Sequence, residues 1–310
     1  MRRLVGLLAL LFFASGCLQA PEVTEENPFV ESNRGLVLNF YESTPPSTLL
    51  STDIFQIAAL ASNEGEYNLD RNRVNFTLGN ARTFGIAKAS QLNGDMIGGS
   101  KKIGSDVIPG ESYEVRFDNA QYKGPQIITA EAQVPVSVTA FYPYETDVIS
   151  KLCVSRSGTS TVCPFPRGEG VGKKVFSSGA PVKVTEVKQY TSTYNPATGE
   201  VSIVFAVNIE NVGDGDVYET AAVKPEAEFA NFVKIWSIDF GGLSLDTEDV
   251  VENCDVSERA NVYVTEDGGF VNCRLSVPAD TDFEDILSIR LRYNYVSTAT
   301  KSVSFITFKS

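Results

Sequence analysis

Val201-Ser-Ile-Val-Phe-Ala-Val-Asn-Ile-Glu-Asn-Val-Gly213 is an apolar, β-branched run that stops on Asn-x-Gly, so it reads as a strand running into a turn. Asn211 tolerates left-handed backbone and can bond its own turn, and Gly213 accepts positive φ without a steric cost. The same pattern occurs 148 residues earlier, in Phe55-Gln-Ile-Ala-Ala-Leu-Ala-Ser-Asn-Glu-Gly65. A second pair lies further along each half: Val136-Ser-Val-Thr-Ala-Phe-Tyr-Pro-Tyr144 is echoed 151 residues later by Leu287-Ser-Ile-Arg-Leu-Arg-Tyr-Asn-Tyr295. Two motifs recurring in the same order at nearly the same offset predict a duplicated unit.

Around these motifs the chain alternates short β-branched and aromatic runs with clusters of Gly, Pro, Asn and Asp, and no long amphipathic helix is evident. Alternation is clear in Val182–Val187 and in Ile286–Tyr295, which gives each strand one buried and one wet face. The expected fold is all-β: two tandem immunoglobulin-like β-sandwich domains, residues 35–154 and 182–310. A Gly/Ser/Pro-rich linker, residues 155–181, carries Lys173-Lys174. Asn63, Gly65, Asn211, Gly213 and Gly215 are read as turn formers and not as a binding site.

Residues 1–17 have the order of a lipoprotein signal peptide: Met1-Arg2-Arg3, an apolar stretch, then Ala14-Ser-Gly before Cys17. The apolar stretch spans about 16 Å as a helix, against roughly 30 Å of bilayer hydrocarbon, so a removable signal is expected and not a membrane span. Cys17 is the expected lipidation site; an ordinary secretory signal cut nearby is the alternative. A two-chain lipid would hold the protein on the extracytoplasmic side of the cell membrane. Residues 18–34, polar and without apolar period, read as a flexible tether.

The formal charge is −13, and removing residues 1–17 deletes Arg2 and Arg3 to leave −15. That acidity argues against nucleic acid and anionic lipid as partners. The other four cysteines fall into two local pairs, Cys153 with Cys163 and Cys254 with Cys273, expected as disulfides in an exported chain. The chain contains no histidine, which removes Ser-His-Asp and Cys-His catalysis and histidine metal sites, and zinc's C-x2-C spacing is missing. What remains is carboxylate chemistry at Asp246, Glu248 and Asp249 or at Asp280, Asp282, Glu284 and Asp285. Calcium is the only candidate cofactor, with the second cluster and the pair Asp214 and Asp216 as weak ligand sets.

Trp236, the only tryptophan, is expected in the core, with an exposed sugar-stacking role as the alternative. Tyr142, Tyr144, Tyr293 and Tyr295 read first as strand residues. Asn75 begins the one glycosylation sequon, Asn75-Phe-Thr77.

Val207-Asn-Ile-Glu-Asn-Val-Gly-Asp-Gly-Asp-Val217 resembles the strand ends of cell-adhesion-related, immunoglobulin-like modules of bacterial and archaeal surface proteins. With Cys17, Tyr142-Pro-Tyr-Glu-Thr146, Cys153 and Cys163, the chain is similar to archaeal cell-envelope lipoproteins. The resemblance implies a non-enzymatic extracytoplasmic module for binding, adhesion or scaffolding, with another envelope protein or a glycan as partner. Two alternatives stand beside it: a carbohydrate-binding or carboxylate-dependent carbohydrate-active protein, and a self-assembling envelope subunit.

Overall fold

Alternation is longest in two 24-residue strands, and these organise the molecule. In Glu131–Val154 the even-numbered residues from Val136 to Leu152 are buried, while in Phe283–Ile306 the odd-numbered residues from Leu287 to Tyr295 are. The computed structural model describes residues 26–127, 131–156 and 170–307.

The strands in chain order are β1 (Leu36–Phe40), β2 (Thr48–Leu50), β3 (Ile54–Asn63), β4 (Asn75–Leu78), β5 (Ser90–Leu92), β6 (Lys101–Ile103) and β7 (Asp106–Ile108). There follow β8 (Ser112–Gln121), β9 (Glu131–Val154), β10 (Val171–Lys173), β11 (Phe176–Ser177), β12 (Val182–Asn195) and β13 (Glu200–Asn211). The last six are β14 (Asp216–Tyr218), β15 (Phe232–Phe240), β16 (Leu243–Leu245), β17 (Asn261–Tyr263), β18 (Gly269–Pro278) and β19 (Phe283–Ile306). One short α-helix, α1 (Thr247–Asn253), precedes β17.

The fold is nearly all β, in antiparallel sheets. A central sheet runs β16-β15-β19-β9-β4-β5, and the outer sheets run β1-β3-β8 and β10-β12-β13-β18. β9 and β19 pair along their whole length, from Glu131 opposite Ile306 to Val154 opposite Phe283. Both halves of the chain therefore share one sheet. The segment read as a linker contributes β10 and β11, which pair with β12 and β9. The end of the segment read as a tether is also docked: Val30 is buried, and the Ser32 carbonyl accepts from the Ala180 amide.

At the middle of the central pair Pro143 faces Asn294, flanked by Tyr142 opposite Tyr295 and Tyr144 opposite Tyr293. A two-fold rotation about this point carries each tyrosine of one motif onto its counterpart in the other. The hydrogen bonds obey the same symmetry. Tyr144 Oη donates to Asn63 Oδ1 at 3.2 Å, and Tyr295 Oη donates to Asn211 Oδ1 at 3.2 Å. Those same oxygens accept the amides of Gly65 and Gly213, each at 3.3 Å. Tyr142 Oη accepts the Leu36 amide at the start of β1, and Tyr293 Oη accepts the Val182 amide at the start of β12. Ser297 Oγ and Thr146 Oγ1 complete the set, at 2.9 and 3.0 Å from Tyr142 and Tyr293.

Paired residues of a sheet point to the same face, so both outer sheets are stapled to one side of the central sheet. The glycines matter because the phenols occupy their Cβ positions: a methyl at Gly65 would overlap Tyr144 Oη, and one at Gly213 would overlap Tyr295 Oη. The four rings also touch one another in a closed set, with centroids 5.9–6.3 Å apart. Such aromatic contacts add about 0.5–1.5 kcal/mol per pair beyond burial.

Burial, the largest cause, holds the hydroxyls of all four tyrosines above their ordinary value of 10.0, and that of Tyr295 is pushed up to about 12. An unfolded chain releases these protons from about pH 10 while the folded chain retains them, so the unfolded state binds fewer protons there and stability falls as pH rises. The expected result is a denaturation midpoint that declines from pH 10 upward through 12, with Tyr295→Phe shallower than the parent. Tyr144→Phe, which leaves Asn63 Oδ1 without its phenol, is expected to cost ~1 kcal/mol at neutral pH in chemical denaturation.

Candidate functional site

The opposite face of β9 and β19 carries Phe141, Pro143, Glu145, Arg292 and Asn294, and it forms the floor of a groove of about 920 Å³. That volume lies within the roughly 300–1,000 Å³ usual for ligand sites. One wall comes from Asn72 to Asn75 and Lys88 to Leu92 around β4 and β5, the other from Thr220 to Val223 and Trp236. Asn294 Nδ2 fixes this second wall by donating to the carbonyls of Glu219, Thr220 and Ala222. The groove straddles the two-fold point, but the symmetry of the tyrosine face is not kept here. Phe141, Pro143 and Glu145 correspond to Arg292, Asn294 and Val296, so one pattern is retained inward and two different ones are presented outward.

Trp236 reaches this face because β15 is irregular. Val233 and Ile235 are buried, then Ile238 and Phe240, and the register against β19 jumps from Ile235 to Ser237. A β-bulge changes which residues face inward, and the extra residue here is Trp236, which is 38% exposed. The core position expected for it is therefore corrected: the bulge breaks the alternation on which that expectation rested. The Arg292 guanidinium packs on the indole, 3.7 Å from the ring centroid, with Lys234 Nζ at 5.4 Å.

Glu145 is the carboxylate of the groove, and it is engaged. Its Oε1 lies 2.9 Å from Arg292 Nε, an ion pair in which the N–H does not point at the oxygen. Its Oε2 lies 3.8 Å from Arg290 Nε, and Arg290 in turn pairs with Asp147 at 2.9 Å. Burial, and then the Glu145 charge, raise the Tyr67 hydroxyl above its ordinary range. Arg73 and Lys88, by contrast, have no carboxylate partner among the described residues. On a chain of formal charge −13, the groove thus holds two cations free to meet a ligand.

The other residues singled out by sequence have separate places. Asp246 caps α1, accepting the amides of Glu248 and Asp249, and Asp249 Oδ2 accepts the Asp246 amide in return. This capping box accounts for the first acidic run as a helix start. In the second run Asp282 Oδ1 accepts the Arg156 amide, Glu284 pairs with Lys173 at 3.5 Å and with Lys151 at 4.0 Å, and Asp280 offers its carbonyl to Arg156. Glu284 and Asp285 are consecutive in β19 and so point to opposite faces. Among the described residues no three acidic or cysteine side chains converge as a metal site. Asp214 and Asp216 flank Gly215, whose amide donates to Tyr295 Oη.

Asn75 sits on β4 with its Oδ1 accepting from Ser90 Oγ, at the groove wall. Cys254 and Cys273 form a disulfide. Cys153 is buried and disulfide-bonded, while Cys163 and Cys17 lie outside the described residues. No helix among the described residues is long and apolar enough to cross a membrane.

Compared with known proteins, the chain matches no protein family, and no curated protein is detectably similar to it.

Because Trp236 is the only tryptophan, fluorescence excited at the red edge, where tyrosine does not absorb, reports on the groove alone. Acrylamide is expected to quench it readily. Arg292→Ala should increase that quenching by uncovering the indole, while exposed cation–π loss lowers stability by only ~0.5–1 kcal/mol. Poor quenching in the parent would place the indole in the interior.

Proposed function

We propose that this chain is a non-enzymatic, lipid-anchored binding module on the extracytoplasmic side of the cell envelope, and that its groove takes a glycan bearing acidic groups. The observation that carries this reading is the exposed Trp236, held at a β-bulge on one wall of the groove, with Arg73 and Lys88 on the other wall, two cations without ion-pair partners among the described residues. The chemistry is complementary. Sugar C–H faces pack on an indole, side-chain amides such as those of Asn72 and Gln91 bond hydroxyls, and a cation meets a carboxylate or sulfate. The Cys254–Cys273 disulfide supports an oxidising compartment, and the signal-like residues 1–17 support export with lipid on Cys17. The adhesion-module resemblance of the Asn-x-Gly strand ends points the same way.

Titration with uronate-bearing and neutral oligosaccharides, followed by Trp236 fluorescence, tests the ligand. Binding is expected for the acidic sugars and to weaken with salt. Trp236→Ala, or Arg73→Ala with Lys88→Ala, is expected to lose about tenfold or more in affinity, equivalent to ~1.4 kcal/mol. Acidic sugars that leave the fluorescence unchanged, or that bind the triple variant as well as the parent, would remove the glycan reading. Intact mass of protein taken from its native membrane tests the anchor: the expected mature chain begins at a lipid-modified Cys17, and an unmodified chain starting elsewhere would sink that part.

A further inference from the structure

β6 and β7 form a two-stranded hairpin apart from the larger sheets, turning at Gly104, whose φ is +61°. Lys101 faces Ile108, Lys102 faces Val107, and Ile103 faces Asp106. Ile103, Val107 and Ile108 are 62%, 53% and 49% exposed, and no other six-residue stretch of the described chain exposes three large apolar side chains. A hairpin of this kind is marginal in water by itself, and its β-branched residues contribute nothing to the core. Their exposure calls for a surface to cover them.

The position of the hairpin says which surface. Lys102 Nζ pairs with Glu26 at 3.6 Å and also donates to the Asn27 carbonyl, so the described chain begins against the hairpin. Glu26 is nine residues from Cys17, a span of at most about 30 Å even when fully extended. A lipid on Cys17 therefore holds this hairpin, through its contact with Glu26 and Asn27, within a short tether of the bilayer. We infer that the β6–β7 hairpin seats on the membrane surface, with Ile103 and Ile108 at the boundary between headgroups and acyl chains. Ile103 and Ile108 share one face with Lys101 and Asp106, and those two charges hold the hairpin at the interface. Apolar burial drives the contact, because a chain of formal charge −13 is not drawn to anionic lipid as a whole. The inference rests on the proposed tether at Cys17, and its test supplies that tether independently.

The chain has no histidine, so a hexahistidine replacing residues 1–17 gives an unambiguous attachment to phosphatidylcholine vesicles containing nickel-chelating lipid. Ile103→Cys, labelled with an environment-sensitive nitrobenzoxadiazole dye, is expected to shift to shorter emission wavelength on the vesicles and to be quenched by brominated lipid. The same dye at Val223→Cys, on the groove wall, should stay water-like. Ile108→Cys should show the shift as well, and lose it when Ile103 is also changed to Glu. A tethered chain whose label at residue 103 remains water-like would overturn the proposal. So would a shift that appears without vesicles and grows with protein concentration, since the hairpin would then be a contact between copies. Neither outcome bears on whether Cys17 is lipidated, which the intact mass decides separately.

Discussion

Burying four phenols side by side is tolerable only if each hydroxyl finds a partner, and the rest of this structure is arranged around meeting that demand. The partners are Asn63 and Asn211 for Tyr144 and Tyr295, and the first amides of β1 and β12 for Tyr142 and Tyr293. Each bond joins the central sheet to an outer one, so satisfying the tyrosines also fixes where the outer sheets lie. It fixes register too. A one-residue slip between β9 and β19 would turn one strand over relative to the other, placing two of the four phenols in solvent and either Glu145 or Arg292 in the core.

With one face committed to this lock, the other face was free to diversify, and the groove lies there. Its floor consists of the residues interleaved with the tyrosines, so the site inherits its rigidity from the same two strands. The walls come from loops and from the bulge that turns Trp236 outward. Arg292 links the layers of this arrangement, since it packs on Trp236 and pairs with Glu145. A site of this build has a preformed base and one wall pinned to it by Asn294, which suits recognition of a ligand with several polar groups.

The sequence was most legible where structure depends on neighbours in the chain. Strand character and the internal repeat follow from period-2 alternation; the Asn-x-Gly segments do end their strands, but Gly65 and Gly213 are not in the left-handed backbone expected of them and are required by the phenols at their Cβ positions. That the two tyrosine motifs are partners of each other did not follow, because pairing across 151 residues leaves no local trace. Trp236 was misplaced by reading it with its apolar neighbours, in phase with Ile238 and Phe240, across a bulge; the three-residue gap from Ile235 to Ile238 was the available signal. The acidic run at Asp246 had a legible cap in its Asp-x-x-Asp spacing. Composition marked residues 155–181 as loop-like, yet three-residue strands such as β10 form through backbone pairing and require little of their side chains. That Arg73 and Lys88 line one groove depends on the fold of two separate loops and was beyond any local reading.

The groove's location on the two-fold point has a consequence for valency. A repeated architecture ordinarily presents each surface feature twice, and so offers two equivalent contacts per polypeptide. A feature lying on the rotation axis occurs once, and here it has become unlike on its two sides. The groove is therefore single and has two unlike sides, and on the proposed reading it would present inequivalent ends to an asymmetric ligand. On the proposed binding reading the expected stoichiometry is one ligand per chain, and a gain from multiple attachment would come from how densely the chains populate a surface.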